Sequence, residues 1–369
     1  MDWDVIVVGG GIGGASAALF LKAHGLRVGV LEKERLPRYK ACAGGLPQQA
    51  QSLLPLSLDP VAEVVVTDVI YALRREKHVR QSLYNRPAIM VNRANLDYYV
   101  LQQSGADVVE GALVTAVEEH PDRVRVRTEE GRSYQARYLI GADGANSRVA
   151  RALGLRRGRR LGAAVEAEVY PPEEVMARYR HTALFQFGAV RWGYVWIFPK
   201  RDHLSVGIGA FGSSAAGLRE TLWGEMTALG VPMDGASWRG HPLPIHLHAE
   251  RLHTARCMLI GDAAGLVDAF LGEGIRYAML SARIAAQSIL SDEIAGYSDR
   301  IKREISDGLA PARTAARAFY GLTDLCFWCV ARNPDLTRVF LDLVAGNITY
   351  RQLVRRLPLL FLQSVLAAN

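Results

Sequence analysis

Near its start the chain reads Val5-Ile-Val-Val-Gly9-Gly-Gly11-Ile-Gly13-Gly14. Four β-branched apolar residues in a row predict a buried parallel strand, and the residues from Ala15 to Lys22 fit the helix that follows it. Gly9 permits a tight turn, Gly11 lets the backbone approach a pyrophosphate, and Gly14 permits close packing of the helix on the strand. The pattern therefore predicts the strand–turn–helix unit that begins a dinucleotide-binding domain.

A second strand follows at the spacing that such a domain requires. The segment Arg27-Val-Gly-Val-Leu-Glu32 is apolar in its interior and ends in a carboxylate. At that position Glu32 can hold a ribose 2′-hydroxyl, while the amino terminus of the preceding helix offers N–H groups and a partial positive charge to the phosphates. Two strands, a helix and a terminal acid in register predict a nucleotide site at the start of the chain.

Length and composition are those of an ordinary folded enzyme. The chain has 369 residues, of which 50% are hydrophobic and 22% charged, and it contains four cysteines. A chain of this length should form two or three domains. Four cysteines are too few for a disulfide framework, and no stretch reaches the ~20 apolar residues that span a bilayer. The first strand begins too early for a secretory signal, so we expect a cytoplasmic protein.

The net charge of +7 permits anionic partners, and two basic segments bear on them. We interpret Arg156-Arg-Gly-Arg-Arg160 as a solvated loop, with attraction to a diphosphate, a phospholipid surface or an acidic redox protein as the alternative. No aromatic residues are interleaved with these arginines, so nucleic acid is not an expected partner. Near the carboxyl terminus, Arg355 and Arg356 precede the apolar segment 357–362, which fits either packing on the protein body or peripheral membrane contact.

The remaining segments predict the architecture. Strands are expected at 61–69 and 79–83, a capped helix from Asn92, and a hairpin of 124–128 with 133–138. Four further strands, at 161–169, 183–187, 193–198 and 204–211, fit a separate antiparallel sheet, and from Gly274 the chain is mostly helical. We therefore predict an α/β fold with a discontinuous Rossmann-type domain, an inserted antiparallel-sheet domain and a carboxyl-terminal helical region.

A second informative site lies far along the chain, where Gly261-Asp262-Ala-Ala-Gly265 precedes Gly272-Glu-Gly274-Ile275. An acid at a strand end can bond the ribityl chain of a flavin. A helix that begins near Gly272 to Ile275 offers N–H donors to the electron-rich edge of the isoalloxazine ring. Together with the amino-terminal turn, this motif predicts FAD as the cofactor.

Two other sets of residues are less informative. Cys326 and Cys329 have redox-motif spacing but lie in a long apolar helical run, which favours packing over redox chemistry. The histidines at 241, 246, 248 and 253 do not have a recognised ligand spacing, so no metal is predicted.

The motifs together resemble a known group of flavoproteins. Over residues 1 to about 290 the chain resembles FAD-dependent oxidoreductases of the p-hydroxybenzoate hydroxylase fold. Four segments carry this resemblance: the Gly-rich turn, Arg93-x-x-Leu-Asp97, the segment 141–148 (Gly-Ala-Asp-Gly-Ala-Asn-Ser-Arg) and Gly261-Asp262. Within that fold the chain resembles the geranylgeranyl reductase family in three segments. They are Lys40-x-Cys42-Ala-Gly-Gly45, Gly193-Tyr-Val-Trp-Ile-Phe-Pro-Lys200 and Tyr350-Arg-x-Leu353.

The resemblance implies a set of FAD contacts. Of these, the glycines, Glu32 and Asp262 are also supported by the sequence motifs described above, independently of the resemblance. The set is Gly9, Gly11, Gly13, Gly14, Glu32, Lys33, Ala43, Gly44, Arg93, Val114, Asp262, Gly274 and Ile275. The FAD-binding domain is expected to comprise 1–70, 90–155 and 250–295, the substrate domain 71–89 and 156–249, and the helical region 296–369. The chain departs from the family's usual Asn-Pro and Thr before Gly-Glu-Gly, where it has Asp268, Ala269 and Leu271.

The resemblance also implies an activity, the saturation of double bonds in a geranylgeranyl or other prenyl chain by hydride from reduced flavin. We expect the prenyl chain on a free diphosphate or on a lipid or pigment, with substrate contacts at Tyr194, Trp196, Phe198 and Gly272. The three aromatic side chains alternate onto one face of a strand, where they can steady positive charge or only pack the core. Cys42 is the candidate catalytic side chain, as a proton donor or by shaping the flavin's surroundings; a small apolar filler is the alternative.

Three points stay open in the sequence. The electron donor is open between NADPH and reduced ferredoxin. The chain has no second Rossmann fingerprint, so NADPH would have to dock transiently. A second candidate function is an FAD monooxygenase or halogenase of the same fold, although the Cys–Gly loop and Tyr194 favour the reductase. A third is a catalytically silent carrier of flavin or isoprenoid.

Overall fold

The structure is a computed structural model that describes residues 1–83, 87–156, 158, 161–212, 216–344 and 346–366. Its strands, in chain order, are β1 (Trp3–Val8), β2 (Val28–Leu31), β3 (Gly45–Leu46), β4 (Ala62–Val66), β5 (Asp68–Leu73), β6 (Lys77–Ser82), β7 (Ala88–Val91), β8 (Asp107–Val109), β9 (Val114–Glu119), β10 (Val124–Thr128), β11 (Ser133–Gly141), β12 (Leu161–Val169), β13 (Thr182–Phe187), β14 (Gly193–Pro199), β15 (Leu204–Ala210), β16 (Ser237–Pro244) and β17 (Cys257–Leu259).

The helices, in chain order, are α1 (Ile12–Lys22), α2 (Gln48–Gln51), α3 (Arg93–Ser104), α4 (Arg148–Ala152), α5 (Glu173–Tyr179), α6 (Leu218–Ala228), α7 (Ile275–Leu290), α8 (Tyr297–Ile301), α9 (Asp307–Gly321), α10 (Thr323–Arg332), α11 (Pro334–Val344) and α12 (Tyr350–Leu366). A 3-10 turn at Gly261–Ala264 follows β17, and a π-helical turn at Lys302–Ser306 joins α8 to α9.

The first sheet is built around the amino-terminal strand. Its order is β8-β2-β1-β11, with β17 beside the carboxyl-terminal half of β11, and β10 and β9 antiparallel along the other half. β1 is parallel to both neighbours, with Val5 opposite Val28 on one side and Tyr138 on the other. The four residues from Val5 to Val8 are buried, as expected of a strand covered on both faces. The predicted α/β fold and the hairpin of β10 and β11 are confirmed.

Helix α1 lies directly behind β1 because a glycine stands at the point of closest approach. A Cβ atom at Gly14 would lie 1.9 Å from the carbonyl oxygen of Gly9. On its other sides α1 packs against α3 and α7. α3 begins where the sequence predicts, since the Asn92 side chain accepts a hydrogen bond from the N–H of Ala94. The helix from the end of the predicted nucleotide domain is therefore packed onto the helix from its beginning.

The second sheet has the order β16-β12-β15-β14-β13-β5-β6 and contains all four strands predicted for the inserted domain. Its pairs are antiparallel except β5 and β13, which are parallel, with Ile70 opposite Leu184. The four predicted strands pair antiparallel with one another, as expected, and the parallel pair arises because β5, from an earlier part of the chain, adds beside β13. β5 starts at Asp68 and crosses the boundary predicted between residues 70 and 71. The domain ranges themselves stay a prediction.

The two faces of the second sheet are covered differently. Along β14, Val195 and Ile197 point to one face and pack with Leu222 of α6. Tyr194, Trp196 and Phe198 point to the other face and belong to a core shared with α9, α11 and α12. This core also contains Phe319, Phe340 and Tyr350. The predicted helical region is thus the cover of the aromatic face of the sheet.

The apolar end of α12 is only partly buried. Leu353 and Leu360 lie in the shared core, whereas Leu359 is 63% exposed and the two arginines at 355 and 356 are exposed. Within the part of the chain that the structure describes, no helix is both long enough and apolar enough to cross a membrane. Packing on the protein body is thus observed for one side of this segment, and contact with a membrane surface stays a prediction.

The Gly14→Ala substitution should destabilise the fold strongly. Its Cβ would collide with the Gly9 carbonyl, which is backbone and cannot rotate away, so we expect a loss of about 3 kcal/mol or more. The measurement is thermal unfolding of the purified protein without added cofactor. The matched control is Gly224→Ala in α6, where no atom lies within 4 Å of the added Cβ and where Ala should stabilise the helix by about 0.5–1 kcal/mol. Equal melting temperatures for the two variants would contradict the steric argument.

Candidate functional site

The predicted nucleotide turn has the backbone geometry that its glycines suggest. Gly9 has a positive φ of 105°, and a Cβ there would lie 2.5 Å from the carbonyl oxygen of Ala142. A Cβ at Gly11 would lie 3.2 Å from Arg38 Nη2 and 3.7 Å from Asp97 Oδ2, so it would meet side-chain atoms and no backbone. Gly11 is also the N-cap of α1, and no side chain within the described residues bonds to the N–H groups of the first turn. This helix terminus is therefore free to bind an anion through its backbone.

Glu32 is held directly below the turn. The residue is buried, and its Oε2 accepts a hydrogen bond from the N–H of Gly10 at 2.7 Å, while Oε1 accepts from the N–H of Glu34 at 3.1 Å. The structure therefore brings this predicted cofactor residue to the turn. Lys33 is exposed beside Glu34, at 3.4 Å. Val114 is buried in the core near the end of β2, where the N–H of Ala112 bonds to the Glu32 carbonyl.

A buried charge cluster stands next to the turn. Arg93 donates to Asp97 through Nε at 2.9 Å and through Nη2 at 3.0 Å, and Arg38 donates to the same carboxylate at 3.3 Å. Burial alone would lower the pKa of Arg93, but Asp97 and then Cys42 raise it above its ordinary value, so the guanidinium stays charged. Sequence reasoning named Arg93 but missed Arg38. The only sequence signal was its place in the irregular loop that precedes Cys42.

Asp262 lies in the turn after β17 and faces the Lys40 ammonium and the His241 imidazole. Its Oδ2 lies 3.4 Å from Lys40 Nζ and 3.6 Å from His241 Nε2. Burial would raise the pKa of Asp262, yet Lys40 and His241 hold it below its ordinary value, so the group is a carboxylate. Lys40 and His241 were not predicted as site residues, although Lys40 stands in the Cys42 motif. His241 comes from β16, so three segments of the chain converge at this point.

The second predicted helix terminus adjoins Asp262. α7 begins at Ile275, with Gly274 as its N-cap and no capping side chain among the described residues. A Cβ at Gly274 would lie 3.5 Å from Asp262 Oδ1, and one at Gly13 would lie 3.5 Å from the Cβ of Ala278 on α7. The two predicted halves of the cofactor site are thus assembled by the packing of α1 on α7.

The basic segment at 156–160 differs from its predicted solvated state at its first residue. Arg156 is buried, and its Nη1 donates to the carbonyl oxygens of Asp262 and Ala263 at 2.7 and 3.2 Å. The solvated-loop interpretation is therefore wrong for this arginine, because the turn after β17 presents carbonyl groups that need a donor. The arginines at 157, 159 and 160 lie outside the described residues.

The loop that carries Cys42 is fastened to the second sheet. The N–H of Cys42 donates to Glu166 Oε2 at 2.6 Å, and Lys200 Nζ donates to the carbonyl oxygens of Ala43 and Val91 at 2.9 and 2.7 Å. Gly44 has a φ of 69°, and a Cβ there would lie 2.1 Å from the Val91 oxygen. Neither Glu166 nor Lys200 was predicted as a site residue. Lys200 ends the quoted aromatic motif, whereas nothing in the sequence around Glu166 marks it.

The aromatic strand β14 reaches both loops. Phe198 lies against the Cys42 loop, since a Cβ at Gly45 would be 3.1 Å from its Cε2 atom. At the other end the Tyr194 hydroxyl donates to the carbonyl oxygen of Leu271. Gly272, with a φ of 71°, leaves space for Phe211, whose Cε1 would be 2.9 Å from a Cβ there. The structure therefore brings the predicted substrate residues between the two loops.

The loop 268–273 is held by hydroxyl groups from three elements. Besides the bond from β14, Tyr320 of α9 donates to the Phe270 carbonyl at 2.8 Å, and Tyr350 of α12 donates to Asp268 Oδ2. Asp268 is fully buried, and burial raises its pKa to about 6. Burial, with a contribution from Asp268, also raises the pKa of Glu273 to about 7. In the sequence, Asp268 was only a departure from a family pattern and Tyr350 only part of a family segment; their contact was not predicted, and Tyr320 was missed.

The cysteine pair at 326 and 329 and the histidines at 241, 246, 248 and 253 form neither a disulfide nor a metal site among the described residues. Cys326 and Cys329 both lie on α10 and are free thiols. Among the described residues there is no group of three or more His, Cys, Asp and Glu side chains arranged to hold a metal ion.

Comparison with known proteins adds to this geometry. The FAD binding domain family matches residues 2–185. A geranylgeranyl diphosphate reductase of Synechocystis sp. is 30% identical over 310 residues, which are 78% of this chain and 75% of that protein. A digeranylgeranylglycerophospholipid reductase of Methanothermobacter thermautotrophicus is 28% identical and is covered to 89%, with 88% of this chain aligned.

The fold is also that of a solved structure. A geranylgeranyl bacteriochlorophyll reductase-like protein from Thermoplasma acidophilum superposes with a TM-score of 0.79, over 97% of this chain and 99% of that chain. At 22% sequence identity this likeness concerns the fold alone. It extends over both sheets and the helical region, so the three parts form one recurrent architecture.

The Asp268→Asn substitution should change the dependence of stability on pH. The folded-state pKa of Asp268 is raised from 3.8 to about 6, so its protonated form is favoured by folding. This stability is complete below pH ~4 and is lost as the pH rises through ~6, for a total of about 3 kcal/mol. An amide keeps an acceptor for the Phe270 N–H and carries no charge into the core, although its NH2 group would donate to the Tyr350 oxygen and so reverse the present bond. The variant should therefore be the more stable protein above pH 6.

The measurement is the melting temperature of both proteins between pH 4 and pH 8. The control is Asp234→Asn, at an exposed position, which should follow the wild-type pH curve. If Asp268→Asn also follows that curve, the buried carboxyl does not titrate as described.

Proposed function

The chain belongs to the geranylgeranyl reductase family of FAD-dependent oxidoreductases, and we propose that it saturates carbon–carbon double bonds of a geranylgeranyl or other prenyl chain. The prenyl chain would be carried on a free diphosphate or on a lipid or pigment. Curated relatives named for a diphosphate and for a glycerophospholipid are similar to this chain at nearly the same identity, so they support the prenyl chain rather than one head group.

The residues at the junction of α1 and α7 fit FAD. The uncapped terminus of α1 would hold the pyrophosphate, and Glu32 would hold the ribose. Asp262 is a carboxylate beside the uncapped terminus of α7, where it would bond the ribityl chain. In that position Lys40 and His241 would keep the carboxylate ionised. When bound, FAD supplies the hydride for the reaction.

The observation that carries the proposal is the aromatic wall between the two loops. Tyr194, Trp196 and Phe198 are buried side by side on β14, with the Cys42 loop at one end and the loop 268–273 at the other. Such a wall fits a long apolar substrate. An isolated alkene gains a hydride on one carbon and a proton on the other, and the charge that builds on the more substituted carbon can be steadied by aromatic faces.

Cys42 is the proposed proton donor. Its side chain is half-buried, lies on the loop next to Phe198, and interacts with the charged Arg93. Transfer of the thiol proton to the alkene carbon would leave a thiolate next to a guanidinium, which would stabilise that anion until a proton returns from solvent. The electron donor that would regenerate reduced flavin is NADPH or reduced ferredoxin.

Anaerobic reoxidation tests the function directly. We expect reduced, FAD-loaded protein to be reoxidised by geranylgeranyl diphosphate or by geranylgeranyl lipid, with a product heavier by two hydrogens for each step. A fully saturated chain with the same head group is the control and should not reoxidise the flavin. Reoxidation only with oxygen and an aromatic acceptor would favour the monooxygenase or halogenase, and stable reduced flavin with bound lipid would favour the carrier.

Substitution of Cys42 tests its role. If the thiol donates the proton, Cys42→Ala should slow product formation by about a hundredfold or more, whereas Cys42→Ser should keep part of the rate. FAD content is measured in parallel, and Cys326→Ser is the control for loss of a thiol elsewhere. Normal turnover in both Cys42 variants would remove this residue from the mechanism.

A further inference from the structure

Two buried charged side chains reach the Cys42 loop from the second sheet, and their bonds are to the loop's backbone. Glu166, on β12, is 4% exposed, and Lys200, directly after β14, is also 4% exposed. Glu166 accepts the N–H of Cys42, and Lys200 donates to the carbonyl of the next residue, Ala43. The peptide group before Cys42 and the peptide group after Ala43 are thus held by opposite charges.

The placement of these charges is costly, which argues that they serve the loop. Burial raises the pKa of Glu166, and Ser205 and Lys200 act against this shift. Burial lowers the pKa of Lys200, and Glu63 and Cys42 act against it. An apolar pair of similar volume would avoid both costs. In the described part of the chain no ion pair joins Glu166 to Lys200. The cost of desolvating the two charges is therefore offset by the hydrogen bonds that each of them makes.

Glu166 also connects the loop to the aromatic wall. The indole N–H of Trp196 lies 3.4 Å from the Ser205 hydroxyl oxygen, and that hydroxyl donates to Glu166 Oε1 at 2.6 Å. The Trp196 ring has room because its neighbour on β15 is Gly207, where a Cβ would lie 2.0 Å from the ring. One carboxylate therefore bonds the backbone of Cys42 through one oxygen and the wall through the other.

The loop side of this arrangement is equally specific. A Cβ at Gly44 would lie 2.7 Å from Lys200 Nζ, in addition to its collision with the Val91 carbonyl. The glycine thus leaves the space through which the ammonium group reaches two carbonyl oxygens. The N–H of Gly44 in turn lies 3.4 Å from Cys42 Sγ, so the sulfur is also oriented from within the loop.

We propose that Glu166 and Lys200 are positioning residues that clamp the two-residue segment Cys42–Ala43 at its two ends, and that Glu166 ties the thiol and the Trp196 ring into one geometry through Ser205. The catalytic part of this inference rests on the proposed function, in which Cys42 gives a proton to a prenyl chain lying on the wall. The clamp itself is a property of the backbone and can be measured without substrate.

The first test is amide hydrogen exchange of the FAD-loaded protein, resolved at Cys42 by fragmentation of the loop peptide. In Glu166→Gln the carboxamide has one accepting oxygen for the three donors that bond the carboxylate, which are the Cys42 N–H and the hydroxyls of Ser205 and Tyr39. Exchange at the Cys42 amide should therefore rise at least tenfold. Lys200→Met should raise exchange across 42–44 similarly. The matched control is Glu168→Gln, two residues along the same strand and also charged, which should exchange like wild type. The rate of Cys42 alkylation by iodoacetamide, followed by peptide mass, should change in the same two variants.

The second test separates positioning from general stability. With geranylgeranyl diphosphate as substrate, Glu166→Gln should lower kcat at least tenfold while KM and FAD content stay within twofold. In a Cys42→Ala background the same substitution should add less than a twofold loss, because it acts through the residue already removed. Lys200→Arg should restore part of the rate that Lys200→Met loses.

Wild-type exchange and alkylation of Cys42 in both variants would overturn the clamp. An undiminished effect of Glu166→Gln in the Cys42→Ala background would show that Glu166 does not act through Cys42, and would overturn its role in positioning the thiol. If Glu166→Gln does not fold, the Lys200 pair of variants decides the question by the same readouts. If wild type reduces no prenyl substrate, the proposed function fails, while the exchange result still stands for or against the clamp.

Discussion

The close approach of α1 to β1 is the constraint on which the rest of the site depends. Only hydrogen at position 14 fits against the Gly9 carbonyl, and this contact sets how deep the helix lies. Because α1 is seated there, α7 can pack against it, and the turn that carries Asp262 arrives beside the nucleotide turn. The proposed cofactor site, whose residues lie about 250 positions apart in the chain, thus depends on one backbone contact.

Charge is concentrated where the two sheets meet. Asp262 faces Lys40 and His241, Asp97 joins Arg93 to Arg38, and the two residues of the clamp reach the Cys42 loop from the second sheet. Buried ion pairs of this kind contribute little net stability, since desolvation offsets their attraction. What they provide is geometry: the loop before Cys42 has little regular structure, and its conformation is set by these side chains rather than by a helix or a sheet.

The parts of the molecule that local chemistry determines could be predicted from the sequence. Both halves of the proposed cofactor site were predicted from glycines at fixed spacing, a β-branched run and an acid at a strand end. The alternation along β14 predicted three aromatic residues on one face, where the structure has them. The partners of the loops were not foretold, because Glu166 lies 124 residues from Cys42 and makes its contact only after the sheet has formed. Arg156 was misinterpreted for the same reason: its neighbours in sequence are basic, but its partners are distant carbonyl groups.

The loop 268–273 shows how a departure from the family pattern can be accommodated by distant parts of the fold. Ala269 does not fix its own φ as the family's proline would, so the loop needs restraint from elsewhere. Tyr194, Tyr320 and Tyr350 provide it, each from a different element, and Asp268 closes the loop on itself by accepting the N–H of Phe270. Two of these hydroxyls come from the carboxyl-terminal helices. The helical region therefore does more than cover the aromatic wall, because its two hydroxyl groups restrain the segment that leads into α7.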